Sequence, residues 1–214
     1  MPDSPTLTGA PWTVEPGAIV FLPEVTEGFT EDEVYALFSS GGGLVAAAEV
    51  HDGAMIALVP STEDVIELVQ PDGEPIEQMH VTVFYLGTAT DIDDDRRENI
   101  HAVIEDLTSR QPVVIGDLFG FSVWNPAGPE PCLVCDVNGD TLLDVYDSVE
   151  VGLDEIEFEY PAQHLPWRPH ITLAYGTTEI PDDLLTKTGP VTFDRLRVAF
   201  GGVATDYPLG GKIT

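Results

Sequence analysis

Two short stretches of this 214-residue chain carry the same pair of reactive side chains. "MHVTVFYLG" (79–87) sets His80 two residues before Thr82, and "PHITLAYG" (169–176) sets His170 two residues before Thr172. In an extended strand, residues i and i+2 project from one face, so each histidine points with its threonine. Val81, Val83, Ile171 and Leu173 then face the other way, into apolar packing. An imidazole takes or gives a proton near neutral pH, and a hydroxyl donates a hydrogen bond to an anionic oxygen.

Two such pairs facing each other across a groove place one histidine on each side of a phosphorus atom. That suits in-line displacement at a phosphodiester. One neutral histidine removes a proton from the attacking water or hydroxyl, and the other, protonated, gives one to the departing oxygen. The threonines hold the non-bridging oxygens, and this chemistry calls for no metal and no cofactor. A single His-x-Thr is too short to be specific, because a half-buried strand histidine beside a β-favouring threonine explains one copy. Two copies, each running on through apolar residues to a tyrosine and a glycine, point to function.

"HVTVFYLG" and "HITLAYG" resemble the paired His-x-Thr/Ser signature of the 2H phosphoesterase superfamily, the 2′,5′-RNA-ligase-like and cyclic phosphodiesterase proteins. The resemblance spans about 44–211. "MIALVPS" stands where the family has its first strand, and "GPVTFDRLRVAFGG" where it has a late strand of the second lobe. It implies a bilobal α+β fold, two pseudo-symmetric lobes of antiparallel sheet plus helices around a central groove. Residues 44–214 would form that domain, behind an extension, 1–43, whose residues suggest no role. The resemblance also implies that His80 and His170 are the acid/base pair and that Thr82 and Thr172 bind phosphate. The implied activity is a metal-independent phosphodiesterase acting on a cyclic or 2′,5′-linked phosphodiester of a small nucleotide or short oligonucleotide. The alternatives are a nucleotide-binding or virion-associated module without turnover, and 2′,5′-RNA ligation. The similarity extends to members encoded by tailed phages, which would set the protein in the cytoplasm of a host cell.

Around the second motif, Arg168, Trp167 and His164 are possible substrate contacts. Arg195 and Arg197 are further cations that could converge on a small anion. Tyr85 and Tyr175 have the strand parity of the apolar residues and are assigned to the core. His51 and His101 are expected to be exposed and inert.

The charge balance narrows the partners. There are 38 acidic residues against 8 basic ones, a formal net charge of −30, with Lys187 and Lys212 the only lysines. Such a surface repels polyanions, so a small nucleotide is the expected partner and long nucleic acid is not. The opening residues lack a basic stretch followed by an apolar one, and no apolar run is long enough to span a bilayer. A soluble, cytoplasmic monomer with no membrane contact is the expectation. Cys132 and Cys135 form a lone C-x-x-C on a strand-like segment. That spacing puts them on opposite faces, so they read as two core thiols and not as a zinc or redox site.

The remaining pattern supplies elements to carry the motifs. Residues 30–40 read as a helix capped by Thr30 and Glu33 and stopped at Gly41–Gly43. Residues 44–60 read as a hairpin around Asp52–Gly53, followed by a short helix capped by Ser61. Helices are expected over 91–110 and over 141–153, the second capped by Asn138 or Asp140, with strands at 112–125 and 131–137. "DVNGDTLLDVYD" (136–147) superficially resembles a calcium loop, but its sixth position is Thr141 and its twelfth Asp147. Helix capping is the reading adopted for its acidic residues, and "DIDDD" reads as a solvated helix start.

Overall fold

In a computed structural model of the protein, residues 52–210 are described. The 1–43 extension with its expected helix at 30–40, the first arm of the hairpin and His51 lie outside the described residues.

The described residues are built around one antiparallel sheet. Its strands are β1 (Gly53–Pro60), β2 (Val81–Thr88), β3 (Val114–Trp124), β4 (Cys132–Asn138), β5 (His170–Tyr175), β6 (Gly189–Phe200) and β7 (Val203–Pro208). They run in the order β2-β1-β6-β3-β4-β5, with β7 paired to β6. β1 has both edges filled, by β2 on one side and β6 on the other. Strand β6 joins the two halves: Gly189–Phe193 pairs with β3 and Phe193–Phe200 with β1. The two expected lobes are therefore halves of one continuous sheet. The motif strands β2 and β5 are the two ends of that path, yet they touch, so the sheet curls back on itself.

Two long helices cover one face. α1 (Thr62–Val65) is a single turn after Ser61, whose side chain makes no capping hydrogen bond. α2 (Asp94–Arg110) begins where Asp93 accepts a hydrogen bond from Arg96 N at 2.9 Å, with Asp94 and Asp95 in the first turn. Those carboxylates complement the partial positive charge of the helix start. The acidic run therefore does cap the helix, three residues later than the sequence boundary.

α2 buries Ile100, Ile104 and Leu107 against β6 and β7, and α3 (Asp140–Glu155) buries Leu142, Val145, Val149 and Leu153 against β2 and β3. Fully burying each such side chain stabilises the fold by about 1.5–3 kcal/mol. The cap of α3 differs from expectation. Gly139, at φ 153°, precedes the helix, and Asn138 Oδ1 accepts from Gly139 N at 2.9 Å while Asp140 is already helical. His101 is also not free in solvent: its Nδ1 lies 2.7 Å from the Tyr207 hydroxyl and its ring packs edge-on against Phe200.

The sheet's other face is where both motifs point. Met55, Ala57 and Ala199 form a small apolar cluster there, separate from the main core.

Candidate active site

Cross-strand register fixes which side chains share the open face, because directly paired residues project together. Thr82 pairs with Ala57, which pairs with Arg197, which pairs with Asp206. In the other half His170 pairs with Asp136, and Thr172 with Val134, which pairs with Ser122. The small Ala57 side chain leaves Thr82 and Arg197 facing each other across β1.

Both motif strands carry a β-bulge just after the threonine. Opposite β1 the register steps from Thr82 to Phe84, skipping Val83. Opposite β4 it steps from Thr172 to Ala174, skipping Leu173. A bulge shifts parity by one residue. Tyr85 therefore comes out opposite Met55 on the face of Thr82, and Tyr175 opposite Cys132 on the face of Thr172. This corrects the assignment of both tyrosines to the core. Burial pushes the Tyr175 phenol well above the usual range, with the Thr172 side chain opposing that shift.

The two histidines are anchored identically. His80 Nδ1 lies 2.6 Å from Gln78 O, and His170 Nδ1 lies 2.9 Å from Arg168 O. A carbonyl oxygen can only accept, so Nδ1 carries the hydrogen in both rings and Nε2 is the nitrogen that bears the lone pair. His80 is 6% exposed, and burial, with smaller effects of His170 and Arg197, pulls its pKa down to about 4.

The segment before β5 clamps the two halves together. Tyr85 N donates to Gln163 Oε1 at 3.0 Å while Gln163 Nε2 donates to Tyr85 O at 2.9 Å, so one amide occupies the free edge of β2 as a strand would. Trp167 Nε1 donates to Thr82 O at 3.0 Å, and its ring packs on Tyr146 at 5.0 Å. Trp167 thus spans the halves, its indole N–H committed to β2. His164 is half-buried in the same segment, its pKa lowered by desolvation and by Arg168.

Arg168 meets Asp136 Oδ1 at 3.5 Å and lies over the Trp124 ring at 5.4 Å from its centroid. Asp136 thereby leaves the helix-capping role given to its segment and joins the site. Arg197 grips Asp206 through two nitrogens, at 2.6 and 2.9 Å, and donates to Glu77 O at 2.9 Å. Arg195 is paired with Asp194 and Asp206. Arg195 and Arg197 are thus neutralised by carboxylates.

Sequence reasoning also passed over Glu74. Its carboxyl is buried, its backbone N–H donates to Leu173 O at 2.8 Å, and burial raises its pKa to about 7. A Cβ on neighbouring Gly73 would come within 2.5 Å of Leu173 O, so the glycine permits this close approach to β5. "PDGEP" reads as a turn, and nothing in it announces a contact so far along the chain. Cys135 is a buried core thiol as expected, whereas Cys132 is half-buried on the open face opposite Tyr175; both are free, and burial raises them to about 12 and 11. Among the described residues, no three His, Cys, Asp or Glu side chains gather as a metal site would need.

A curled antiparallel sheet with helices on one face and two His-x-Thr strands meeting on the other is the arrangement that the resemblance to 2H phosphoesterases implies. The structure is similar to TT0787 of Thermus thermophilus, at TM-score 0.55 and 18% identity over 75% of this chain and 99% of that one. It is also similar to a protein described as a phosphoesterase, at TM-score 0.50 and 17% identity over 75% of this chain and 96% of that one. No family model matches the sequence, and no curated protein matches it. At such identities the likeness defines the fold, and function has to be argued from the site. Among the described residues no helix is long and apolar enough to cross a membrane.

Proposed function

We propose that this protein is a metal-independent phosphodiesterase that hydrolyses a cyclic or 2′,5′-linked phosphodiester in a small nucleotide or short oligonucleotide. The observation that carries this reading is the matched anchoring of His80 and His170, each fixed through Nδ1 so that Nε2 is the proton-transferring nitrogen. Burial keeps the His80 ring neutral at pH 7, so His80 takes the proton from water as its oxygen attacks phosphorus. The complementary step falls to His170, which gives a proton to the departing ribose oxygen as the P–O bond breaks. Water's oxygen ends on phosphorus, giving a phosphomonoester and a free hydroxyl. Thr82 and Thr172 donate to the non-bridging oxygens, and Arg168 supplies positive charge beside His170. The charge of −30 favours a small substrate over long RNA and disfavours ligation of RNA ends.

The test is a chelator-treated panel of 2′,3′-cyclic mononucleotides, 2′,5′-linked dinucleotides and cyclic di- and trinucleotides, with a His80→Ala/His170→Ala double variant alongside. Cleavage by the wild type alone supports the reading and identifies the linkage. Ligand retained but recovered intact would make the protein a nucleotide-binding module instead.

A further inference from the structure

One polar chain on the open face reaches beyond the groups that the proposed chemistry uses. Trp124 Nε1 donates to Ser122 Oγ at 3.1 Å, and Ser122 Oγ donates to Asp136 Oδ2 at 2.9 Å. Asp136 Oδ1 faces Arg168 Nη2 at 3.5 Å. Arg168 then leads to His170, whose Nδ1–H its carbonyl accepts at 2.9 Å. The His170 ring packs on Trp124 with centroids 4.1 Å apart and planes at 40°, and the Arg168 guanidinium lies over the same indole. The contacts form a closed ring that begins and ends at Trp124, with His170 inside it.

Asp136 is the hinge of that ring. It is 6% exposed in the middle of β4 and in register with His170. A carboxylate at such a place costs free energy unless hydrogen bonds and an opposite charge offset its desolvation, and Ser122 and Arg168 provide both. An apolar residue would fill a strand interior at lower cost, as Val134 and Val137 do on the same strand. The carboxylate thus has to be explained by what it holds.

We propose that Asp136 is a positioning residue for His170. It pins Arg168, whose carbonyl sets the imidazole orientation, and through Ser122 it fixes the indole against which the ring packs. This rests on the reading of His170 as a proton-transfer group, since only then does its orientation set a rate.

Asp136→Asn tests it. Asparagine keeps the volume and an oxygen to accept from Ser122, and removes only the charge opposite Arg168. On the substrate identified by the panel, kcat is expected to fall roughly 10- to 100-fold, the usual cost of a slightly misplaced catalytic group. KM should not rise, because Thr82, Thr172 and the Arg168 cation are all kept. In imidazole NMR spectra of the resting protein, the His170 resonance, assigned by its loss in His170→Gln, should move while that of His80 stays. An Asp136→Asn protein that folds and leaves both kcat and the His170 resonance at wild-type values overturns the proposal. If that variant does not fold, Ser122→Ala decides: it should shift the same resonance, and an unmoved resonance sinks the idea. If the wild type cleaves no compound of the panel, the phosphodiesterase reading fails, and the resonance alone still settles whether Asp136 positions His170.

Discussion

His80 and His170 are held by the same bond: each donates Nδ1–H to the carbonyl oxygen two residues upstream, on Gln78 and on Arg168. The two anchors sit at opposite ends of the strand order, so curling of the sheet is what turns a repeated local motif into a pair. Their surroundings differ. His80 is buried and its ring is held neutral, while His170 lies against Trp124 and beside Arg168.

Removing either imidazole should therefore abolish turnover and spare binding. A placed acid or base contributes roughly 10²- to 10⁴-fold, so His80→Gln and His170→Gln should each lower kcat by at least about 100-fold. Single-turnover rates and equilibrium binding of the same nucleotide check both halves of that statement. Weakened binding with an unchanged chemical rate would remove the histidines from the proton-transfer role.

The acid side of the pH profile should lie lower than an ordinary histidine would place it. His80 works as a base only when neutral, and burial brings its pKa to about 4, below the usual 6.5. In the free enzyme kcat/KM should hold as pH falls to about 5 and decline through about 4. A decline centred near 6.5 would assign the base to another group.

The candidate residues were legible in the sequence and much of what holds them in place was not. Histidine and threonine two apart on an apolar strand state their shared face directly, and the register agrees at the second motif, where His170 pairs with Asp136 and Thr172 with Val134. Simple alternation placed Tyr85 and Tyr175 in the core. The bulges at Val83 and Leu173 reverse that parity, and nothing in the residue types at those positions marks a bulge. Asp136 reads as a helix approach because Asn138, Gly139 and Asp140 follow it, whereas its partners Ser122 and Arg168 come from other strands and loops. Long-range pairing is the common cause. Arg195 and Arg197 illustrate it too, since their neutralisation by Asp206 depends on the β6–β7 register.

Gln163 should matter to stability more than its loop position suggests. Its amide makes two hydrogen bonds to the backbone of Tyr85, and Gln163→Ala leaves that N–H and C=O without them. At about 1 kcal/mol net per bond, the loss should be about 2 kcal/mol. Urea unfolding of the variant checks it, and a midpoint equal to wild type would show that water replaces the amide at no cost.

Glu74 should give the pH dependence of stability a sign opposite to that expected of a paired carboxylate. Burial raises its folded pKa from 4.5 to about 7, so between those values the folded protein holds a proton that the unfolded chain has released. Stability from this group is complete below pH 4.5 and is lost as pH rises through 7. His80 acts the other way: its folded pKa lies below 6.5, so stability falls as pH drops from 6.5 toward 4. Between about pH 5 and 6 the two slopes oppose each other. Glu74→Gln removes only the first, so the difference in unfolding free energy, variant minus wild type, should increase steadily from pH 4.5 to 7. Denaturant titrations of both proteins across that range measure the difference directly, and the surface charge common to both cancels. A difference that stays flat, or falls, would mean that the Glu74 carboxyl is ionised in the folded protein and finds a partner when it charges.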